Sequence, residues 1–175
     1  MGWGMTPGRW LLGLGLWGWM LTMTPATLIV PWLVAQAGFQ TYRNARFGYR
    51  IAYPRDLMPQ GESANGDGQV FIGKDGTTLR VWGGYNVLGE TLTGAFQAEL
   101  HRCREHRRQV TYRTLGPGFF VVSGYEADGA RIFYLKKIVR PERQVGFELV
   151  YPAKQRRRYD REVTAMANSL RLLER

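Results

Sequence analysis

Apolar runs separated by turn signals in the stretch 119–152 predict a three-stranded antiparallel meander. Strands at 119–122 and 132–135 are joined through Asp128-Gly129, a dipeptide typical of two-residue hairpin turns. A break at 140–143 precedes a third strand with one apolar face, formed by Val145, Phe147, Leu149 and Tyr151. These three strands form the centre of the predicted fold.

A helix is predicted directly after this meander. Pro152 ends the third strand, and apolar side chains then recur at the three- and four-residue spacings of a helix that lies on a sheet. The stripe consists of Tyr159, Val163, Met166, Leu170 and Leu173. The pattern therefore predicts a C-terminal helix that covers the sheet and reaches Leu173.

The first part of the folded region predicts mainly strands. Residues 42–53 form one predicted entry strand, with Tyr49, Ile51 and Tyr53 on one face and Arg50 on the other. Residues 57–68 are predicted to be a loop. Two further strands, at 70–72 and 79–82, form a hairpin through Lys74-Asp75-Gly76.

A second helix is predicted from Thr91, before the last strands. Its apolar stripe is formed by Leu92, Phe96, Leu100 and Cys103. Residues 110–115 then alternate as a strand that turns into the meander. Strands, helix, strands and helix in this order predict an α+β fold, an antiparallel β-sheet with helices packed on its faces in an α/β/α sandwich. Residues 38–175 are expected to form this single domain.

The N-terminal region has the pattern of an export signal. Arg9 is the only charged side chain before Gly38, and residues 10–34 are almost wholly apolar. The triplet Ala35-Gln36-Ala37 fits cleavage before Gly38 and favours a signal peptide. An apolar stretch of about 25 residues is also long enough to span a bilayer.

Residues 1–37 are therefore predicted to be either a cleaved signal peptide or a membrane anchor that stays attached. Arg9 favours retention of the short N-terminal side in the cytoplasm. Both alternatives place the 38–175 domain outside the cytoplasm, in the periplasm or cell envelope, free or anchored to the inner membrane through residues 10–34.

The chain is strongly basic, with a net charge of +10. Nearly all of this charge belongs to the folded part, because Arg9 is the only charged residue of the N-terminal region. A dense basic run lies at the start of the last helix and consists of Lys154, Arg156, Arg157, Arg158 and Arg161. It is either a solvated face that favours solubility, which is the preferred interpretation, or a docking patch for anionic partners.

Reactive residues are few. Cys103 is the only cysteine, and the helical stripe predicts that it is buried. A catalytic pair with His106 lacks a third, orienting residue. A metal site with His101 fails because positions 101 and 106 point to different sides of a helix. Asn65-Gly66-Asp67-Gly68 lacks the later ligands of a calcium loop and predicts a plain turn.

No phosphate-binding loop, nucleophile elbow or metalloprotease helix motif occurs in the sequence. We therefore expect no enzymatic activity, no cofactor and no metal site.

Two groups of segments follow a known pattern. The first consists of the run at 47–54, Phe-Gly-Tyr-Arg-Ile-Ala-Tyr-Pro, and the turns at 66–68 and 74–76. The second is the stronger match and consists of strands at 119–124, 132–137 and 147–152, the last ending in Tyr151-Pro152, and a helix ending in Ser169-Leu170. Together they resemble exported bacterial domains of the PsbP-like α/β/α sandwich superfamily, to which DcrB-type proteins also belong. The resemblance implies an antiparallel sheet between helices and a mostly non-enzymatic, protein-binding function.

Together these observations predict an exported, non-catalytic binding or accessory domain of the bacterial cell envelope. Its partner is expected to be an envelope protein, held at a sheet face or edge. The alternative is a basic-surface binder of anionic lipid, such as an anionic membrane surface, or of another polyanion; no specific nucleic acid is expected. Salt separates the two, because screening weakens polyanion binding far more than an apolar interface.

Overall fold

The computed structural model describes residues 38–173. In chain order the elements are β1 (Phe39–Asn44), β2 (Tyr49–Pro54), β3 (Met58–Glu62), β4 (Gly68–Ile72), β5 (Thr78–Tyr85), α1 (Leu92–Glu105), β6 (Gln109–Gly116), β7 (Phe119–Tyr125), β8 (Arg131–Val139), β9 (Arg143–Pro152), a 3-10 turn (Ala153–Gln155), α2 (Arg156–Ser169) and β10 (Arg171–Leu172). The predicted export signal or anchor lies outside the described residues. Within 38–173, no helix is long and apolar enough to cross a membrane.

The strands form two antiparallel sheets. The large sheet has seven strands in the order β3-β4-β5-β9-β8-β7-β6, and the small sheet has three in the order β1-β2-β10. Helix α1 packs on one face of the large sheet, and α2 and the small sheet pack on the other. The fold is therefore α+β with a helix on each face of an antiparallel sheet, as the sequence predicted.

The larger core lies between the large sheet and the layer formed by α2 and the small sheet. The stripe predicted on the last helix points into this core, where Tyr159, Val163 and Met166 are at most 5% exposed. Tyr49 packs so closely over β5 that a Cβ atom on Gly83 would lie 2.7 Å from its ring. The small sheet therefore requires glycine at this position, because any side chain would hold the two layers apart.

The smaller core lies under α1. Thr91 starts this helix by accepting a hydrogen bond from the backbone N–H of Gly94 at 3.0 Å. Leu100 and Cys103 then face the apolar side chains of the meander, which are Phe120, Val122, Phe133 and Leu135. Burial of Cys103, which the helical stripe predicted, is confirmed.

The predicted entry strand at 42–53 is wrong as a single element. The chain reverses at 45–48, so that β1 and β2 pair with each other. Asn44 Oδ1 accepts a hydrogen bond from Phe47 N, and Gly48 adopts a φ of 58°. A buried side-chain acceptor and a residue suited to positive φ close this turn.

Three other boundaries differ from the prediction. The predicted loop at 57–68 contains β3, which pairs with β4. The link at Asp128-Gly129 is longer than two residues, because Glu126 N donates to Arg131 O around four intervening residues. Helix α2 ends at Ser169, so Leu173 is not part of its stripe.

The early end of α2 has a tertiary cause. Ser169 Oγ donates to the carbonyl of Met166 at 2.7 Å and accepts from the backbone N–H of Ala52 at 2.8 Å. Leu170 is extended, with φ −60° and ψ 117°, and Arg171 then pairs with β2. The free edge of β2 thus takes up the chain and ends the helix.

Candidate functional site

The basic run surrounds the start of α2. Lys154 lies in the 3-10 turn, and the four arginines lie in the first two turns of the helix. Arg156 Nε contacts Asp160 Oδ2 at 3.2 Å, and Arg158 contacts both Glu162, at 3.0 Å, and Asp56. Two of the five cations are therefore partly neutralised by neighbouring carboxylates.

The other three cations of the run are Lys154, Arg157 and Arg161. They are exposed and have no hydrogen bond or ion pair in the part of the chain that the structure describes. Arg157 and Arg161 lie one turn apart on the side of α2 opposite its buried stripe. The structure thus divides the predicted patch into a locally paired part and an outward part available to anions.

The start of α2 has little to offset this charge. Its first turn has no acidic residue, and Gln155 makes no side-chain cap to the backbone. The hydrogen bond to Asp56 raises the pKa of Arg158 further above its usual value. The helix N-terminus is itself partly positive. An anion bound at this position is therefore attracted by the helix as well as by the arginine side chains.

Sequence reasoning missed a second surface, the link between β5 and α1. Val87 and Leu88 are 84% and 92% exposed. The link is nevertheless pinned, because buried Asn86 Nδ2 donates to the carbonyls of Glu90, at 2.9 Å, and Arg140, at 3.0 Å. The backbone of the link is thus ordered, and it keeps two aliphatic side chains exposed to solvent.

Further hydrogen bonds fix the same link from β9. Gln144 Nε2 donates to Asn86 Oδ1 at 3.0 Å and to Glu90 at 2.9 Å, and Asn86 Oδ1 also accepts from Glu90 N at 2.8 Å. A cavity of about 450 Å³ lies beside the link and is lined by Trp82, Tyr85, Leu88 and Gln144, among others. The only local signal in the sequence is the apolar pair between Asn86 and Gly89.

The structure does not bring Cys103 and His106 together as a reactive pair. Cys103 is fully buried and burial raises the pKa of its thiol, whereas His106 is exposed at the end of α1. His101 is exposed too and contacts Glu105 at 3.4 Å. Among residues 38–173, no group of three or more His, Cys, Asp or Glu side chains is placed to hold a metal ion.

The turn at 65–68 is closed by hydrogen bonds among the side chains of residues 63–67. The Asp67 carboxylate accepts hydrogen bonds from Ser63 Oγ and, at 3.0 Å, from Asn65 Nδ2. The hydrogen bond from Ser63 is the main reason that the pKa of Asp67 is lowered. These carboxylate oxygens stabilise the turn itself.

A partly buried ionic cluster joins the segment after α1 to the large sheet and was also missed. Arg108 contacts Glu148 at 2.7 Å and Glu126 at 2.9 Å, and its guanidinium lies 4.6 Å from the centre of the Phe133 ring. These residues come from three separate segments, so no local sequence pattern marks the cluster. The carboxylates satisfy Arg108, and the cluster is consistent with a structural role.

The class of protein is defined by the fold, which is PsbP-like. The chain is similar to the solution structure of cyanobacterial PsbP (CyanoP) from Synechocystis sp. PCC 6803, with a TM-score of 0.59. The two are 15% identical, and the similarity covers 78% of this chain and 93% of that chain. At this identity the likeness shows the fold alone. No family model and no curated protein sequence matches the chain.

Proposed function

We propose that this chain is an exported, non-catalytic binding or accessory domain of the bacterial cell envelope that holds a protein partner. The PsbP-like fold, the sequence motifs that resemble those of the PsbP-like superfamily and the apolar N-terminal sequence support this function. The observation that carries the proposal is the exposed pair Val87 and Leu88 on a pinned link.

Exposed aliphatic pairs of this kind are suited to protein contacts. Buried apolar anchors contribute most of the binding free energy in many interfaces, and an anchor that is already ordered loses little entropy on binding. The hydrogen bonds of Asn86 and Gln144 supply this order. The adjacent cavity can accept an apolar side chain from the partner in return.

The layers also restrict where a partner can bind. Helix α1 covers the β6–β8 part of one face of the large sheet, and α2 with the small sheet covers much of the other. The edge strand β3 contains Pro59 and an irregular register, which protect it from strand pairing. We prefer the β5–α1 link as the contact site because it holds the two most exposed large apolar side chains of the described residues.

The test is site-specific photo-crosslinking in the producing bacterium. A photoreactive residue in place of Leu88 should give a discrete adduct with one envelope protein, identified by mass spectrometry. The same residue in place of Ile72, which is also partly exposed, is the matched control and should give none. Equal adducts from both positions, or none from position 88, would contradict the proposal.

A double variant then measures the contribution of the two side chains. Val87→Ser/Leu88→Ser should weaken binding to the identified partner at least tenfold, because two apolar anchors are lost. Met58→Ser/Ile72→Ser removes another exposed apolar pair and should leave binding unchanged. High salt should have little effect on this interface.

The second candidate function, binding to an anionic surface, is favoured by the outward cations Lys154, Arg157 and Arg161. Their replacement by glutamine should weaken vesicle binding in low salt and leave folding unchanged, since the structure gives them no partner among residues 38–173. Unchanged vesicle binding would restore the solubility interpretation.

A further inference from the structure

The outer face of the small sheet carries three arginines in one row. Arg43 on β1 lies directly opposite Arg50 on β2, and Arg50 lies directly opposite Arg171 on β10. Directly opposed residues of an antiparallel pair point to the same side of the sheet. All three side chains are exposed, whereas their neighbours Tyr42, Tyr49 and Ile51 point inward to the core.

The row is unfavourable for the isolated domain. Opposed strand positions are about 5 Å apart at their Cα atoms, so three guanidinium groups share a width of roughly 10 Å. Like charges at directly opposed positions destabilise a sheet. Within residues 38–173, none of the three side chains has a carboxylate partner. Their one side-chain hydrogen bond runs from Arg171 Nη1 to the carbonyl of Leu170 at 3.0 Å.

Two further arginines lie on the outward side of α2, a helix whose C-terminal end meets the small sheet. Ser169 Oγ accepts the backbone N–H of Ala52, so the helix end abuts the edge of β2. Arg157 and Arg161 point away from the large sheet, as the row does. Burial and, after it, the positive charge of Arg171 lower the pKa of Lys136.

We propose that the row Arg43–Arg50–Arg171 is a docking site for the anionic phosphate headgroups of a lipid membrane. Guanidinium groups bind phosphate oxygens in a bidentate manner, and three in one row suit a layer of phosphates better than a single small anion. This proposal is independent of the protein contact at Val87 and Leu88, and it places the membrane site on residues outside the basic run.

The position of the row in the chain favours a membrane over other polyanions. The apolar sequence 10–34 ends five residues before Phe39, the first residue of β1, which is at most about 17 Å of chain. Any attachment of that apolar sequence to a bilayer would therefore bring the small sheet, rather than the α1 side, near the headgroups. Near such a surface each arginine contributes about fivefold to binding in low salt.

The experiment uses residues 38–175, because both cores are built entirely within 38–173. Arg43→Gln/Arg50→Gln/Arg171→Gln is compared with Arg104→Gln/Arg107→Gln/Arg113→Gln, which removes the same charge near α1 and β6 on the other side of the large sheet. Vesicles of phosphatidylcholine with and without phosphatidylglycerol are the probes, and co-sedimentation is measured in low and high salt.

Wild type should bind only the anionic vesicles, and the row variant should lose on the order of 100-fold in partitioning in low salt. The control variant should lose much less, because its charges lie on the other side of the large sheet and do not contact the bound phosphates. The row variant should melt at the same or a higher temperature, since a repulsion is removed. A loss of vesicle binding by the row variant would then reflect a lost contact and not unfolding.

Three results would overturn the proposal. Equal loss in both variants would show that net charge alone attracts the domain. Retained binding of the row variant would place the contact elsewhere. Tighter binding of wild type to a short duplex DNA or to inorganic polyphosphate than to anionic vesicles at the same salt would show that membrane phosphates are not the preferred ligand.

Discussion

At the scale of single residues, the end of α1 has a cationic side chain in a conformation that usually belongs to glycine. Arg107 has a φ of 54° and is the one non-glycine residue with positive φ among the described residues. Arg108 N donates to Cys103 O at 2.8 Å, and Arg107 N donates to Arg104 O at 3.0 Å. This is the Schellman arrangement, whose left-handed position is favoured for glycine because it lacks a Cβ atom.

Arg107→Gly should therefore stabilise the domain by about 0.5–1 kcal/mol, because relief of the left-handed strain exceeds the added entropy of the unfolded chain. Arg104→Gly, inside the last turn of the same helix, should destabilise it by about 1 kcal/mol. Urea unfolding of both variants measures the difference. A loss of stability in Arg107→Gly would show that its side chain makes an energetically important contact.

At the scale of elements, the β5–α1 link depends on one buried amide. Asn86 is 8% exposed and takes part in side-chain hydrogen bonds to Glu90, Arg140 and Gln144. The link positions the exposed Val87 and Leu88 and also leads into the first turn of α1. Order in the link thus comes from hydrogen bonds rather than from apolar burial.

Asn86→Ala should lower the free energy of unfolding by about 1–2 kcal/mol, since it leaves the part-buried carbonyls of Glu90 and Arg140 without their donor. Hydrogen exchange at Glu90 should accelerate more than exchange in the strands, because its N–H donates to the Asn86 side chain, and exchange at Gly89 should follow as the link loosens around its bond to the Asn86 carbonyl. Asn65→Ala, in an exposed turn, should cost much less. Unchanged exchange at Gly89 and Glu90 would show that Asn86 does not order the link.

Helix α1 also buries a carboxylate, and this gives the domain a pH-dependent stability. Burial raises the pKa of Glu99, although Arg102 contacts it at 2.7 Å. The folded chain therefore holds this proton more tightly than the unfolded chain. The resulting stabilisation is complete below the ordinary value of 4.5 and is lost as the pH rises through the pKa of the folded state.

Glu99→Gln should reduce the decline in the free energy of unfolding that occurs above about pH 4.5. Gln97→Ala, an exposed change on the same helix that removes no titratable group, is the control. The free energies of unfolding in urea are compared at several pH values between about 4 and 8, because buried glutamates titrate in this range. Parallel curves for wild type and Glu99→Gln would rule out this origin.

At the scale of the whole molecule, the large sheet supports two separate cores that must both form. The α2 side buries aromatic rings such as Phe71, Phe147 and Tyr151, and the α1 side buries Phe120 and Phe133. Arg108 connects the end of α1 with β9 and with the link after β7, through Glu148 and Glu126. This contact joins segments that are distant in the chain.

Arg108→Met should lower the free energy of unfolding by about 3–5 kcal/mol, because the buried Glu148 loses its counter-charge. Adding Glu148→Leu should recover part of this loss, since the uncompensated carboxylate is then removed. Chemical unfolding of wild type, both single variants and the double variant forms the thermodynamic cycle. Additive losses would show that the two side chains are not coupled.

The sequence by itself determined the class of fold and the direction of the apolar faces. The alternation in the meander and the stripe Tyr159, Val163 and Met166 are local periodicities, and backbone geometry converts them directly into strand and helix faces. Thr91 and Cys103 were placed correctly for the same reason. The basic run was visible because its residues are contiguous.

Tertiary structure decided what local pattern leaves open. The turn at 45–48, the strand pairing of Arg171 and the end of α2 at Ser169 all depend on the edges of β2, which residues distant in sequence occupy. The pinned link at Asn86 likewise needs Arg140 and Gln144. The arginine row arises only when three strands align in register, because backbone pairing and not sequence spacing brings Arg43, Arg50 and Arg171 side by side.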